Sequence, residues 1–229
     1  DGAGGAMHLY ERECSVQRRH QKLIEEAPAP GLSRALLNQQ ADLAERICGE
    51  LGYDNVGTLE TLYEDSGQFG FLEMNTRIQV EHGVTEAVTG LDLVATQIRL
   101  AAGDPLPADR PPLQGFAVEA RLYAEDTQTG FPSTGRLTVF RPPELYAVRI
   151  ETGFQEGQWV TPYFDPLLAK IIAHGDTREQ AIGRVLVALR AFSVEGVTTN
   201  RDLLSRVLQD QAFLRGELDT GIVSRLQRG

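Results

Sequence analysis

Between Phe71 and Gly83 the chain reads FLEMNTRIQVEHG. Written as an extended backbone, it sends Leu72, Met74, Ile78 and Val80 to one side and Glu73, Asn75, Arg77, Gln79 and Glu81 to the other. A solvated strand face tolerates polar residues, but usually as Thr, Lys and Ser. Here a carboxylate, an amide, a guanidinium, an amide and a carboxylate follow in unbroken succession, as if assembled for a ligand. Just upstream, TLETLYE and QFGFLEM are predicted to pair as a hairpin across Asp65, Ser66 and Gly67, with Glu64 facing Phe69, Leu62 facing Phe71 and Glu60 facing Glu73.

Helical spacing surrounds this hairpin. Ser33 can cap a helix with Leu36, Leu37, Leu43, Ala44, Ile47 and Leu51 on its inner face and Gly52 closing it, and a second helix is predicted from Asp92 to Ala102, ended by Gly103. GDPLPADRPP then reads as a linker, which divides the chain into parts 1–110 and 111–229. Beyond it GFAVEARLYAE and YAVRIETGF have strand character, and GFPSTGRLTVF that of a turn and strand. Thr177 and Gln180 have capping-box spacing ahead of Ala181, Ile182, Val185, Leu186, Leu189 and Phe192, and a last helix is predicted from Arg201 to Leu208. At the start, DGAGG leads into AMHLYERECSV, which resembles the second strand of a hairpin whose first strand is missing, so a fragment is expected. The fold class is α+β, in two parts.

Composition narrows the function. The 229 residues are 41% apolar, enough for real cores, and no apolar run approaches the ~18 residues of a membrane span. The N-terminus has neither a basic nor an apolar export region. Cys14 and Cys48 are too few for a disulfide scaffold and read as ordinary buried thiols, which points to the cytoplasm or, in a eukaryote, the mitochondrial matrix. A net charge of −10 argues against a nucleic-acid partner, so any anion site must be local.

Two local features carry chemistry. Facing carboxylates at Glu60 and Glu73, with Cβ atoms ~5 Å apart, repel unless a cation lies between them. Oxygen-only ligands favour Mg²⁺ or Mn²⁺, and Asn75 can add an amide oxygen; the alternative is a wet sheet face with both carboxylates turned outward. The second feature is ECSVQRRHQKLIEE, which packs Arg18, Arg19, His20 and Lys22 closely in an acidic chain. Extended alternation puts His20 and Lys22 on one side and Arg19 and Gln21 on the other. Such a run is either a solvated surface paired with Glu25 and Glu26 or the counter-charge for a phosphate tail. GXXXXGK[ST] is absent.

Taken in order, ERECSVQRRHQKLIEEAPAPG, GTLETLYE, FLEMNTRIQVEHGVTEAVTGLDL, FAVEARLYAED, YFDPLLAKIIAHG and GVTTNRDLL resemble biotin carboxylase, the ATP-grasp component of acetyl-CoA, propionyl-CoA, pyruvate and urea carboxylases. The resemblance implies the C-terminal part of an ATP-grasp domain followed by a biotin carboxylase C-terminal domain. By that resemblance Glu60 and Glu73 hold Mg²⁺ (or Mn²⁺) under ATP, with Asn75 at a second metal, and Gln17, His20, Gln21 and Lys22 lie along the nucleotide phosphates. Arg77, Gln79 and the Val80 backbone seat bicarbonate, Glu81 is the general base, and Arg121 faces the ureido oxygen of biotin. Read from residues alone, Arg121 is a strand-edge arginine paired with Glu119 or Glu125 and His82 is structural; Asp165 and Lys170 match family positions near the biotin pocket or the dimer contact, with no chemical step implied for either.

The resemblance further implies biotin on a separate carrier domain or protein, a carboxyltransferase component and a homodimer in the intact enzyme. In the family an N-terminal domain and a Gly-rich lid precede this point, so this chain alone is expected to be inactive. Gly83 and Pro166 replace residues common in the family, and the carboxyl acceptor stays open. Three alternatives stand beside this reading: the biotin carboxylase part of a urea carboxylase, a carbamoyl-phosphate synthetase half, and a non-catalytic fragment that folds, self-associates or scaffolds partners.

Overall fold

In the computed structural model, which describes residues 1–64 and 66–228, the chain forms two compact units. Asp65, in the predicted hairpin turn, lies outside the described residues. The first unit comprises Asp1–Glu11 and Leu32–Leu113, and the second Arg12–Gly31 and the chain from Gln114 onward. The second crossing falls just past the GDPLPADRPP linker, but residues 12–31 join the later unit, unlike the expected division at residue 110. Linker composition reports where a chain is free to cross; it carries no information on long-range strand pairing.

The displaced segment is a hairpin of β1 (Glu13–Arg18) and β2 (Gln21–Ala27). Its turn is Arg19–His20, both with positive φ (51° and 64°), as a two-residue turn matched to strand twist requires. The extended alternation expected through residues 18–22 therefore breaks at this turn. No strand lies within residues 1–12, and β1, at the edge of its sheet, pairs with the strand that follows it in sequence.

In the first unit, Ser33 caps α1 (Arg34–Glu50) by accepting a hydrogen bond from Leu36 N at 3.3 Å, and Gly52, with φ 58°, follows its end. The predicted inner face is not a core: only Leu37 is buried, and Leu51 is 73% exposed. β3 (Thr58–Tyr63) and β4 (Phe69–Asn75) pair antiparallel. They are followed by α2 (His82–Thr89) and by α3 (Leu93–Ala101), where Asp92 Oδ1 accepts from Ala95 N at 2.7 Å.

The second unit is built on β5 (Phe116–Tyr123). Short ladders follow: β6 (Glu125–Asp126) with β7 (Phe131–Pro132), β8 (Gly135–Arg136) with β11 (Trp159–Val160), and β9 (Val139–Arg141) with β13 (Ser193–Glu195). With β10 (Val148–Glu151) and β12 (Leu167–Gly175) the main sheet has the order β1-β2-β5-β12-β10, every pair antiparallel. β12 was not among the predicted strands, because a short apolar run such as LLAKIIA does not distinguish strand from helix by periodicity.

α4 (Arg178–Ala191) packs against this sheet with Ala181, Ile182, Val185 and Leu189 buried, and Thr177 caps it as expected. Ala120, Leu122, Ala169 and Ile171 belong to the same core. After α5 (Arg201–Leu208), the predicted last helix, come two more, α6 (Gln211–Leu214) and α7 (Ile222–Arg228). Cys14 and Cys48 form no disulfide and are half-buried.

At the end of the β1–β2 hairpin Glu13 stands opposite Glu26. Glu13 Oε1 accepts from Ser15 N at 2.9 Å, while its Oε2 is buried without a hydrogen bond, and burial pushes the Glu13 carboxyl above its ordinary value. The folded chain thus holds this proton more tightly than the unfolded chain. The resulting stability is fully present below the unfolded pKa and is lost as pH rises through the folded one. Glu13→Gln is expected to raise Tm at neutral pH and to flatten its decline between mildly acid and neutral buffer. A steeper decline in the variant would overturn this reading.

Candidate functional site

In the first unit β3 and β4 set Glu60 directly opposite Glu73 and Thr58 opposite Asn75, as the sequence predicts. Nearer the turn the register moves by one, because Leu72 is an extra residue: Thr61 faces Phe71, Leu62 faces Gly70 and Tyr63 faces Phe69. The bulge corrects the predicted turn-end pairing and leaves the carboxylate pair intact.

β4 stops at Asn75, so the long polar row is not one strand. The chain leaves the sheet and turns into α2, with His82 N donating to Gln79 O at 3.2 Å. Burial here runs opposite to the predicted alternation: Leu72 is 55% exposed, whereas Gln79 and Glu81 are buried. The polar side chains nevertheless converge. Asn75 Nδ2 donates to Glu73 Oε1 at 3.0 Å and to Glu60 Oε1 at 3.4 Å, and Gln79 Nε2 donates to Glu60 Oε1 at 2.7 Å. Arg77 Nη2 donates to Asn75 Oδ1 at 3.0 Å, and its Nη1 to Ile78 O at 3.2 Å. Amide N–H groups thus stand where two facing carboxylates need positive charge, and the donor set is the oxygen-rich one a hard divalent cation selects.

Glu81 directly precedes α2, and its side chain does not cap that helix. The neighbouring Val80 is 38% exposed. His82 opens the helix with Nδ1 2.8 Å from Gln79 O, in keeping with a structural histidine.

In the second unit Gln17 stands opposite Lys22 and Arg18 opposite Gln21, while His20 is exposed in the turn. On the neighbouring pair of strands Glu25 faces Glu119, both fully buried. Arg121, itself buried, forms an ion pair with Glu25. Burial alone would lower the Arg121 pKa, but Glu25 and Tyr123 outweigh it and hold the guanidinium above its ordinary value. Of the partners considered for Arg121 from sequence, Glu125 is instead paired with Arg18. A partner 96 residues away in the chain becomes visible only once the sheet order is known. Lys170, opposite Arg121, bridges to Glu151 at 2.6 Å, and Asp165 Oδ1 accepts from Leu167 N at 2.8 Å.

Sequence reasoning missed Asn200. It sits at the N-cap of α5, yet its side chain does not cap the helix. Fully buried, its Nδ2 donates to Arg121 O at 3.0 Å and its Oδ1 accepts from Tyr123 N at 2.8 Å, while its backbone N–H donates to Tyr123 O at 3.1 Å. These bonds hold the end of β5, where the register with β12 slips between Leu167 and Ala169. The available signal, an asparagine just before a helix in GVTTNRDLL, reads as an ordinary cap.

Residues 119–225 match the biotin carboxylase C-terminal domain family, and residues 1–109 match the ATP-binding domain of the carbamoyl-phosphate synthase L chain. The chain is 46% identical to a biotin carboxylase of Halalkalibacterium halodurans over 226 residues, covering 98% of this chain and 50% of that protein. It is 44% identical to the mitochondrial propionyl-CoA carboxylase alpha chain of Caenorhabditis elegans, covering 96% of this chain and 31% of the relative. Among solved structures, it is similar to the biotin carboxylase domain dimer of Hydrogenobacter thermophilus 2-oxoglutarate carboxylase, in complex with MgADP, ADP and bicarbonate. That match has a TM-score of 0.95 at 38% identity, over 98% of this chain and 50% of that one. The chain spans about half the length of the biotin carboxylase relatives it matches. With both halves matched in order and the carboxylate hairpin in place, the chain belongs to the biotin carboxylase family and corresponds to its C-terminal half.

Proposed function

We propose that this chain supplies the metal-binding, bicarbonate-binding and biotin-facing residues of an ATP-dependent biotin carboxylase. The observation that carries the reading is the Glu60–Glu73 pair, opposed across the hairpin and joined through the Asn75 amide, with the Gln79 amide donating to Glu60. Glu60, Glu73 and Asn75 would hold Mg²⁺ or Mn²⁺, which when bound offsets the charge of the ATP phosphates. For Asn75 this means turning its amide so that oxygen rather than N–H faces the ion. Gln17, His20, Gln21 and Lys22 contribute donors to the phosphate groups.

Bicarbonate is a weak nucleophile until deprotonated. Glu81 takes its proton, while Arg77, Gln79 and the Val80 backbone hold the anion for attack on the γ-phosphorus. The bond to ADP breaks and carboxyphosphate forms. Its breakdown releases CO₂ and a phosphate that accepts the ureido N–H proton of biotin. The enolate-like oxygen left on biotin needs fixed positive charge, which Arg77 and Arg121 provide because guanidinium stays protonated throughout. Biotin arrives on a carboxyl carrier domain, a carboxyltransferase consumes the product, and the intact enzyme is a homodimer. No helix among the described residues is long and apolar enough to cross a membrane.

The test uses the intact enzyme. Arg121→Ala is expected to reduce carboxylation of biotin much more than bicarbonate-dependent ATP cleavage, since its charge is needed only after carboxyphosphate exists. Equal losses in the two assays would move Arg121 to the ATP half of the reaction. For the metal, Mn²⁺ titration followed by water-proton relaxation should show binding that Glu73→Gln weakens about tenfold or more, in keeping with loss of one of few charged ligands. Unchanged binding would place the ion elsewhere.

A further inference from the structure

Gln17, His20, Gln21 and Lys22 account for only part of the basic run; Arg18 and Arg19 have no role in the reaction above. Both line a concavity of about 890 Å³ within the second unit, together with Gly130, Arg206 of α5 and Gln227 of α7. We propose that this concavity is a binding site for a small phosphate-bearing anion, distinct from the nucleotide phosphates that Lys22 serves.

The argument starts from charge. This chain carries 32 acidic residues against 22 Lys and Arg, so an arginine would be expected to find a carboxylate. Neither Arg19 nor Arg206 has an ion-pair partner among the described residues. Arg18 is paired with Glu125 through Nη2, but its Nε and Nη1 are buried without a hydrogen bond. Burial, then the charge of Arg19 lining the same concavity, pushes the Arg18 guanidinium below its ordinary value. A volume of this size falls in the range of small-ligand sites.

The backbone is arranged for the same purpose. The left-handed Arg19–His20 turn ends the strand at Arg18, so adjacent arginines reach the same concavity. Across from it Gly130, itself at φ 72°, leaves room for the Arg19 guanidinium: a Cβ there would come within 2.6 Å of Nη1. Arg19 and Arg206, both exposed, are the groups that would grip the oxyanion with charge-assisted N–H bonds, while Arg18 behind them adds potential. Asp202, 97% exposed and 4.0 Å from Arg201, is the carboxylate in the lining, and three arginines outweigh it.

The experiment titrates inorganic phosphate, and malonate in a parallel arm, into the ¹⁵N-labelled 229-residue chain, following amide signals of residues 127–130 and 201–207. Saturable shifts with phosphate are expected, weakened about tenfold or more by Arg19→Gln with Arg206→Gln, the usual weight of a charge-assisted hydrogen bond. Both residues are exposed, so the variant should fold. Gly130→Ala, which displaces Arg19, should weaken binding in the same direction, and Lys22→Gln should leave it unchanged. Equal saturation by malonate would widen the ligand class to dicarboxylates and overturn the phosphate assignment. Absence of saturable shifts, unchanged binding in the double variant, or loss of binding in Lys22→Gln would overturn the site itself.

Discussion

Replacing Glu81 by Gln in the intact enzyme is expected to lower bicarbonate-dependent ATP cleavage by about 10²–10⁴-fold, the usual contribution of a positioned general base. Glutamine keeps the size and hydrogen-bonding reach of the side chain but cannot take a proton. The residue is buried where the backbone leaves β4 and turns into α2, and its carboxylate is not spent on capping that helix. The substitution therefore removes basicity without costing α2 a side-chain cap. Unlike Arg121→Ala, it should depress ATP cleavage and biotin carboxylation together, because both depend on the deprotonated anion. Circular dichroism and Mn²⁺ binding should match the parent protein. Retention of bicarbonate-dependent turnover within a few fold would remove Glu81 from the role of base.

Arg178→Met is expected to cost the second unit about 3–5 kcal/mol, the range for breaking one partner of a buried ion pair, or a fall in Tm of roughly 6–20 °C at this chain length. Arg178 meets Glu26 through Nε at 2.5 Å and Nη2 at 2.9 Å. The same guanidinium donates to Phe213 O at 2.8 Å and Leu214 O at 3.0 Å and lies 4.9 Å from the Phe213 ring centroid. Removing it strands a buried carboxylate and leaves two carbonyls short of a donor. Burial already pushes the Glu26 carboxyl above its ordinary value despite Arg178, so without the arginine Glu26 should bind a proton more readily still. The folded variant then gains stability as pH falls, and the deficit relative to the parent should shrink towards acid. Adding Glu26→Met should recover part of the loss at neutral pH. A deficit independent of pH would show that lost packing, not the stranded charge, dominates.

Much of the local structure was legible because its causes are local. Ser33 and Thr177 cap the helices they precede, since a side-chain oxygen reaching the next turn depends on a few residues only. The pairing of Glu60 with Glu73 was also legible, since a short turn limits the possible registers. The bulge at Leu72 was not, because an extra residue can be absorbed on either strand without altering the hydrophobic pattern. The polar side chains from Glu73 to Gln79 do converge, but the row was given the wrong backbone, since the strand ends at Asn75. Alternation is visible in sequence whether or not the strand continues.

By itself, the amino-acid sequence determined the family, the two-part α+β organisation and the carboxylate hairpin, all of which rest on contiguous motifs or near neighbours. Only the tertiary structure decided that residues 12–31 belong with the later sheet, that Arg121 is paired with Glu25, and that Asn200 holds the strand carrying Arg121. It also decided that Arg18, Arg19 and Arg206 line one concavity. Each of these joins residues far apart in the chain, and sheet order and burial, which no local propensity encodes, choose among the many partners that hydrophobic patterning alone would allow.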